Sequence, residues 1–175
     1  MIGRRTTFTV LVAALAVATP AAAGRRAPRA LYNALLASHV SGTTATPTQA
    51  GAVSKRHHVV GEMLFDFGGG RSRIAYVVFP THADALGNYA DGVSALKKLT
   101  AVRKVVKNVA GLPKPSVRVD ASQNGLGVTQ ITFVSENVEL VSQSIQLNAK
   151  TGNEKLARKL AGLALTHLRA IEKSA

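Results

Sequence analysis

The sequence predicts an α+β fold, an antiparallel twisted sheet of about five strands with two long helices packed on it, and three observations carry that prediction. Period-two apolar patterning recurs through the middle of the chain, glycine-rich and Asn-Gly breaks divide it into hairpins, and segments with helical spacing follow the hairpins. The arrangement reads as two hairpin–helix units.

The chain opens on what reads as a secretion signal. Arg4 and Arg5 form a positive head, Val10 to Ala18 is an unbroken apolar run, and Thr19-Pro20 ends it. Ala21-Ala22-Ala23 then offers the small residues that place cleavage after Ala23. The apolar run is well short of the roughly 20 residues that a spanning helix needs. The 175 residues contain no cysteine, so neither a lipid-attachment site nor a disulfide is available. The expected organisation is a signal at 1–23, an N-terminal helix and loop at 24–54, and a single α+β domain at 55–175.

Within 24–54, Ala30 to His39 has Leu31, Tyr32, Leu35 and Leu36 on one side of a short helix, and the Thr-rich Ser41 to Gln49 reads as a loop. Val59 to Phe67 alternates apolar residues with Glu62 and Asp66, as a half-buried strand does. Gly68-Gly69-Gly70 permits a hairpin, and Ile74 to Phe79 returns as a strand apolar on both faces. Thr81 is the expected N-cap of the next helix, with Asp84 in its first turn and Leu86, Tyr89, Val93 and Leu96 as its buried stripe. Ala101 to Val109 fits either a continuation of that helix or a strand. Its valines favour the strand.

After the Gly111-Leu112-Pro113-Lys114-Pro115 break, Val117 to Val119 is a short extended piece, and Asn124-Gly125 marks a tight turn. Leu126 to Val134 and Val138 to Leu147 should pair across Ser135-Glu136-Asn137. The last helix has Thr151-x-x-Glu154 as its expected capping box and Leu156, Leu160, Leu163, Ala164, His167, Leu168 and Ile171 along one side.

Charge is the most informative functional feature. The formal net charge is +13, and removing Arg4 and Arg5 with the signal leaves 20 basic and 9 acidic residues, or +11. Between Asp91 and Asp120 no acidic residue occurs and seven basic ones do: Lys97, Lys98, Arg103, Lys104, Lys107, Lys114 and Arg118. Such a run produces a field that draws polyanions. A phosphate-bearing envelope polymer or acidic lipid headgroups are the partners it points to. Nucleic acid fits less well, since no nucleic-acid motif is present and no aromatics interleave with the cations.

Catalytic signals are weak. His39, His57, His58, His82 and His167 lack the spacing of a zinc site. Ser94 lies in Gly-Val-Ser-Ala-Leu, without the second glycine of a nucleophile elbow, and Gly68-Gly69-Gly70-Arg71 lacks the Lys-Ser/Thr of a phosphate loop. No cofactor motif is present. The sequence therefore points to an exported, non-enzymatic binding or accessory domain of the bacterial cell envelope that uses its basic face. The competing reading is a small secreted hydrolase assembled from His82, Asp84 and a strand carboxylate.

Overall fold

The computed structural model describes residues 44–46, 59–67, 70–99 and 101–173 and, from residue 70 onward, their side chains except at position 172. The expected signal segment and the expected helix at 30–39 lie outside those residues. The elements run β1 (Thr44–Thr46), β2 (Val59–Phe67), β3 (Gly70–Val78), α1 (His82–Lys97), β4 (Val102–Lys107), β5 (Ser116–Gln123), β6 (Leu126–Ser135), β7 (Val138–Leu147) and α2 (Glu154–Lys173).

The α+β class is the one the sequence predicts. All described strands lie in one antiparallel sheet, in the order β1-β2-β3-β7-β6-β5-β4. Five longer strands form its body, and the short β1 and β4 add an edge on each side. β1 falls where the Thr-rich segment reads as a loop. Its three residues pair with Leu64–Asp66 of β2.

Ala101 to Val109 resolves as the strand that its valines favour, with Val102–Lys107 paired to β5. Strand β5 is longer than the extended piece expected at Val117–Val119, because pairing with β6 continues from Ser116 to Gln123. Tight turns join β5 to β6 and β6 to β7. Asn124 and Gly125 both have positive φ, at 52° and 75°, as a two-residue hairpin turn demands.

The two helices take opposite faces of the sheet. Along β3, Ile74 and Tyr76 point to α2 while Val77 points to α1, and the same alternation runs through β6 and β7. On the α2 face Ile74, Tyr76, Ile131, Phe133 and Leu140 pack against Ala157, Leu160, Ala164 and Leu168. The alanines let the helix axis come close to the sheet. On the other face α1 uses Ala85 against Val77, Phe79 and Val134, and Leu96 against Val117 and Val119.

The start of α1 follows the sequence reading. The Thr81 hydroxyl accepts from the Asp84 amide at 3.1 Å and donates to the Asp84 carboxylate at 2.7 Å. The start of α2 departs from it. Asn153 is the N-cap, its Oδ1 accepting from the Leu156 amide at 3.0 Å, and Glu154 is already helical. The expected Thr151–Glu154 box does not form because the preceding turn lies flat on the sheet. The backbone of Gly152 rests directly on Ser144 and Thr129, and that of Thr151 rests on Gly127.

This close approach predicts opposite effects for two glycine-to-alanine changes. In Gly152→Ala the new methyl meets the Ser144 carbonyl and Thr129 amide, so we expect destabilisation of at least about 3 kcal/mol. In Gly162→Ala, inside α2 with open space around it, helix propensity raises stability by about 0.5–1 kcal/mol. Chemical denaturation of the two variants beside the parent measures both.

Candidate functional site

The cations of the basic run collect along one edge of the sheet. Lys97 lies in the last turn of α1, and Lys98 is its C-cap. Arg103, Lys104 and Lys107 lie on β4, the outermost strand, and Lys114 follows in the connection to β5. All six are exposed, and none of them forms an ion pair with a described carboxylate. A six-residue strand is about 20 Å long, so the charges form a line and not a point. A bulge between Val102 and Lys104 interrupts simple alternation, with Arg103 as the inserted residue. Beyond it Lys104 lies opposite Asp120 and Lys107 opposite Val117, so the line presents cations towards both sheet faces.

Arg118 is set apart from this edge. It is 7% exposed and points to the α2 side of the sheet. Its guanidinium meets the Asp120 carboxylate at 3.3 Å and also pairs with Glu154 at the start of α2. Arg158 Nε donates to the same Glu154 carboxylate at 2.8 Å, and the Thr129 hydroxyl donates to Asp120 Oδ1 at 2.9 Å. Two cations and two anions cancel, so Arg118 adds nothing to the field at the edge. The Arg158 hydrogen bond, with Arg118 close by, holds the Glu154 carboxyl below its ordinary range. Charge counting along the sequence shows Arg118 as part of the run. Only the pairing of β5 with β6 turns it inward.

A second polar group lies beneath α1. Glu139 of β7 is buried among Val77, Val134 and Ala85, and the Asn88 amide donates to its Oε2 at 2.6 Å. Burial raises the Glu139 carboxyl above the usual range, although the Asn88 hydrogen bond works the other way. Further along the same face the amides of Gln143 and Gln130 join at 3.2 Å, and Gln130 reaches the Thr132 hydroxyl at 3.2 Å. Burial pushes the Tyr89 phenol up to about 12, with the negative charge that Glu139 carries once ionised at alkaline pH adding to the effect. Sequence reading passes over Asn88 and Glu139. Their one signal is a carboxylate that shares a strand face with Val141 and Ile145.

The residues of the hydrolase reading are engaged elsewhere. The His82 imidazole Nδ1 lies 2.5 Å from the Glu136 carbonyl, which fastens the start of α1 to the β6–β7 turn. The next residue of that turn, Asn137, donates its side-chain amide to the Phe79 carbonyl at 2.7 Å and accepts from the Phe79 amide at 2.8 Å. Asp84 is held by Thr81. His82 and Asp84 make no bond to each other. Among the described residues no group of three or more His, Asp or Glu side chains gathers as metal ligands do, and no helix is long and apolar enough to cross a membrane.

No protein-family model and no curated protein sequence matches the chain. Among solved structures it is similar to the extracellular domain of PknH from Mycobacterium tuberculosis, at 13% identity over 79% of this chain and 90% of that one, with a TM-score of 0.45. It is also similar to a GTP binding regulator from Thermotoga maritima, at 11% identity over 78% of this chain and 86% of that one, with a TM-score of 0.41. Neither likeness is close enough to carry an assignment.

Two outcomes follow from the site's electrostatics. Arg118→Ala leaves Asp120 buried without its cation, so denaturation should show a loss of about 3–5 kcal/mol, whereas exposed Lys104→Ala changes stability by no more than about 0.5 kcal/mol. Tyr89 is raised from 10.0 to about 12, so the folded chain keeps its phenol proton more tightly than the unfolded chain. Stability must then fall as pH rises through that interval, and Tyr89→Phe should flatten this alkaline limb of a pH–stability curve.

Proposed function

We propose that this chain is an exported, non-enzymatic accessory module of the bacterial cell envelope, and that it binds an anionic partner along the β4 edge. The observation that carries the reading is the line of six exposed cations from Lys97 to Lys114, none ion-paired with a described carboxylate, on the outermost described strand and its flanks. Export is supported by the positively headed apolar run that ends at Ala21-Ala22-Ala23.

The shape of the cationic line supports an extended anion over a compact one. Lysine and arginine side chains spread along about 20 Å can meet successive phosphates of a polymer or of a headgroup layer, each through a solvated contact. A single small anion would engage one or two of them. Exposed contacts of this kind are individually weak and screened by salt, so binding depends on their number. The bulge and the lysines also keep this edge from pairing with the strand of another chain.

The test is retention of the mature protein on an immobilised polyphosphate matrix. The parent should be retained at low ionic strength and released by moderate salt. A variant with Lys97, Lys98, Arg103, Lys104 and Lys107 all changed to Gln should pass through unretained while keeping the parent's folded circular dichroism. Equal retention of the two proteins would refute binding at this edge.

A further inference from the structure

The contact between α1 and the sheet contains one polar pair whose hydrogen bonding balances in only one protonation state. Glu139 is 7% exposed and stands in register between Val77 of β3 and Val134 of β6. Ala85 and Leu86 of α1 pack on the same apolar cluster. No described cation bonds Glu139, and its one hydrogen bond comes from Asn88 Nδ2. Asn88 is itself 8% exposed, and its Oδ1 has no partner.

An ionised carboxylate has no proton to give and can only accept. In that state the Asn88 carbonyl oxygen stays unsatisfied beside a buried negative charge, and both conditions are unfavourable. A neutral carboxylic acid carries one O–H donor beside its carbonyl, and a primary amide carries an N–H beside its carbonyl. The two groups complement each other fully. Nδ2–H donates to one oxygen of the acid while the acid O–H donates to Oδ1, and no buried polar atom is left over. We infer that Glu139 is carried as the neutral acid and forms this two-bond pair with Asn88, so that the pair latches the first turns of α1 to the sheet and releases them when the acid ionises.

The surroundings favour the neutral form. The titratable groups on α1 are His82, which bonds the Glu136 carbonyl, Tyr89, whose phenol is raised in part by Glu139, and Asp84, Asp91 and Lys97. Asp84 is occupied by Thr81, Asp91 is exposed, and Lys97 lies at the far end of the helix. On β3, Arg73 stands opposite Gln143, four residue pairs along from Glu139. The neighbouring β6 positions are Val134 and Thr132, and the turn beyond carries exposed Glu136, held by His82. Burial also raises the Glu139 carboxyl. The helix that the pair holds is intrinsically weak, since Gly87 and Gly92 lie inside it with open space around them.

The sign is fixed by linkage. A carboxyl that is more basic in the folded state contributes stability that is fully present below the unfolded value and lost as pH rises through the folded value. Each pH unit by which the folded value exceeds the unfolded one corresponds to about a tenfold rise in the opening of α1 above that window.

The experiment is a carbon-detected NMR titration of the side-chain carboxyls, combined with amide hydrogen exchange of Ala85 to Asp91 corrected for intrinsic rates. Glu139 should titrate above the free-glutamate value. Exchange in α1 should accelerate across that titration. In Glu139→Gln an amide replaces the acid and both hydrogen bonds persist at every pH, so the acceleration should vanish. The inference is overturned if Glu139 titrates at or below the free-glutamate value, a result readable in the parent protein alone. It is equally overturned if Glu139→Gln shows the same pH-dependent exchange.

Discussion

Helices packed on both faces of the central strands leave little of those strands to solvent, and this constraint organises the molecule. α2 covers one face through Ala157, Leu160, Ala164 and Leu168, and α1 covers the other through Ala85 and Leu96. Strands β3, β6 and β7 must therefore place side chains in contact with a helix at successive positions. Little positive charge lies there: β6 and β7 carry no lysine or arginine, and β3 carries two, Arg71 and Arg73. Exposed cations stand instead on α2, at Lys155, Lys159, Arg169 and Lys173, and on the last turn of α1, β4 and the connection that follows, where a long side chain can rest its stem on the protein and keep its head in water.

The polar groups that do remain inside are handled in two different ways. On the α2 face Arg118 and Asp120 are buried as a charged pair and completed by Glu154 and Thr129, so the desolvation cost is offset by opposite charge and by hydrogen bonds. The same group ties β5 and β6 to the first turn of α2, next to the place where Gly152 lets the backbone touch the sheet. On the α1 face Glu139 has an amide in place of a cation. One face thus stores charge in a balanced form, and the other holds a proton-dependent contact.

The fold was legible wherever local patterning decides it. The bounds of β7, the Asn124-Gly125 turn and the Thr81 cap follow from alternation, turn chemistry and capping chemistry within a few residues. The strand reading of Ala101 to Val109 rests on its valines and on the unusual length of a helix that would run to Val109, and the pairing of Val102–Lys107 with β5 bears it out. The Asn153 cap was hidden because a preference for Thr151 and Glu154 is local, whereas the contact of Gly152 with Ser144 and Thr129 is not. Arg118 and Arg103 show the same limit. Their type and spacing are plain in the sequence, but the β5–β6 pairing that buries Arg118 and the bulge that holds Arg103 arise between strands. Asn88 and Glu139 are 51 residues apart, and nothing near either of them announces the other.

Anion binding at the outer edge of β4 and the end of α1 is tested most directly by a residue-resolved map. Backbone amide shifts of the protein, followed by NMR while polyphosphate is added, report where the anion sits. Changes should concentrate at residues 97–98, 103–107 and 114 and reverse when salt is raised, with Arg118 and α2 undisturbed. Changes centred on the α2 face, or none at polyphosphate concentrations that saturate exposed lysines, would contradict binding at this edge.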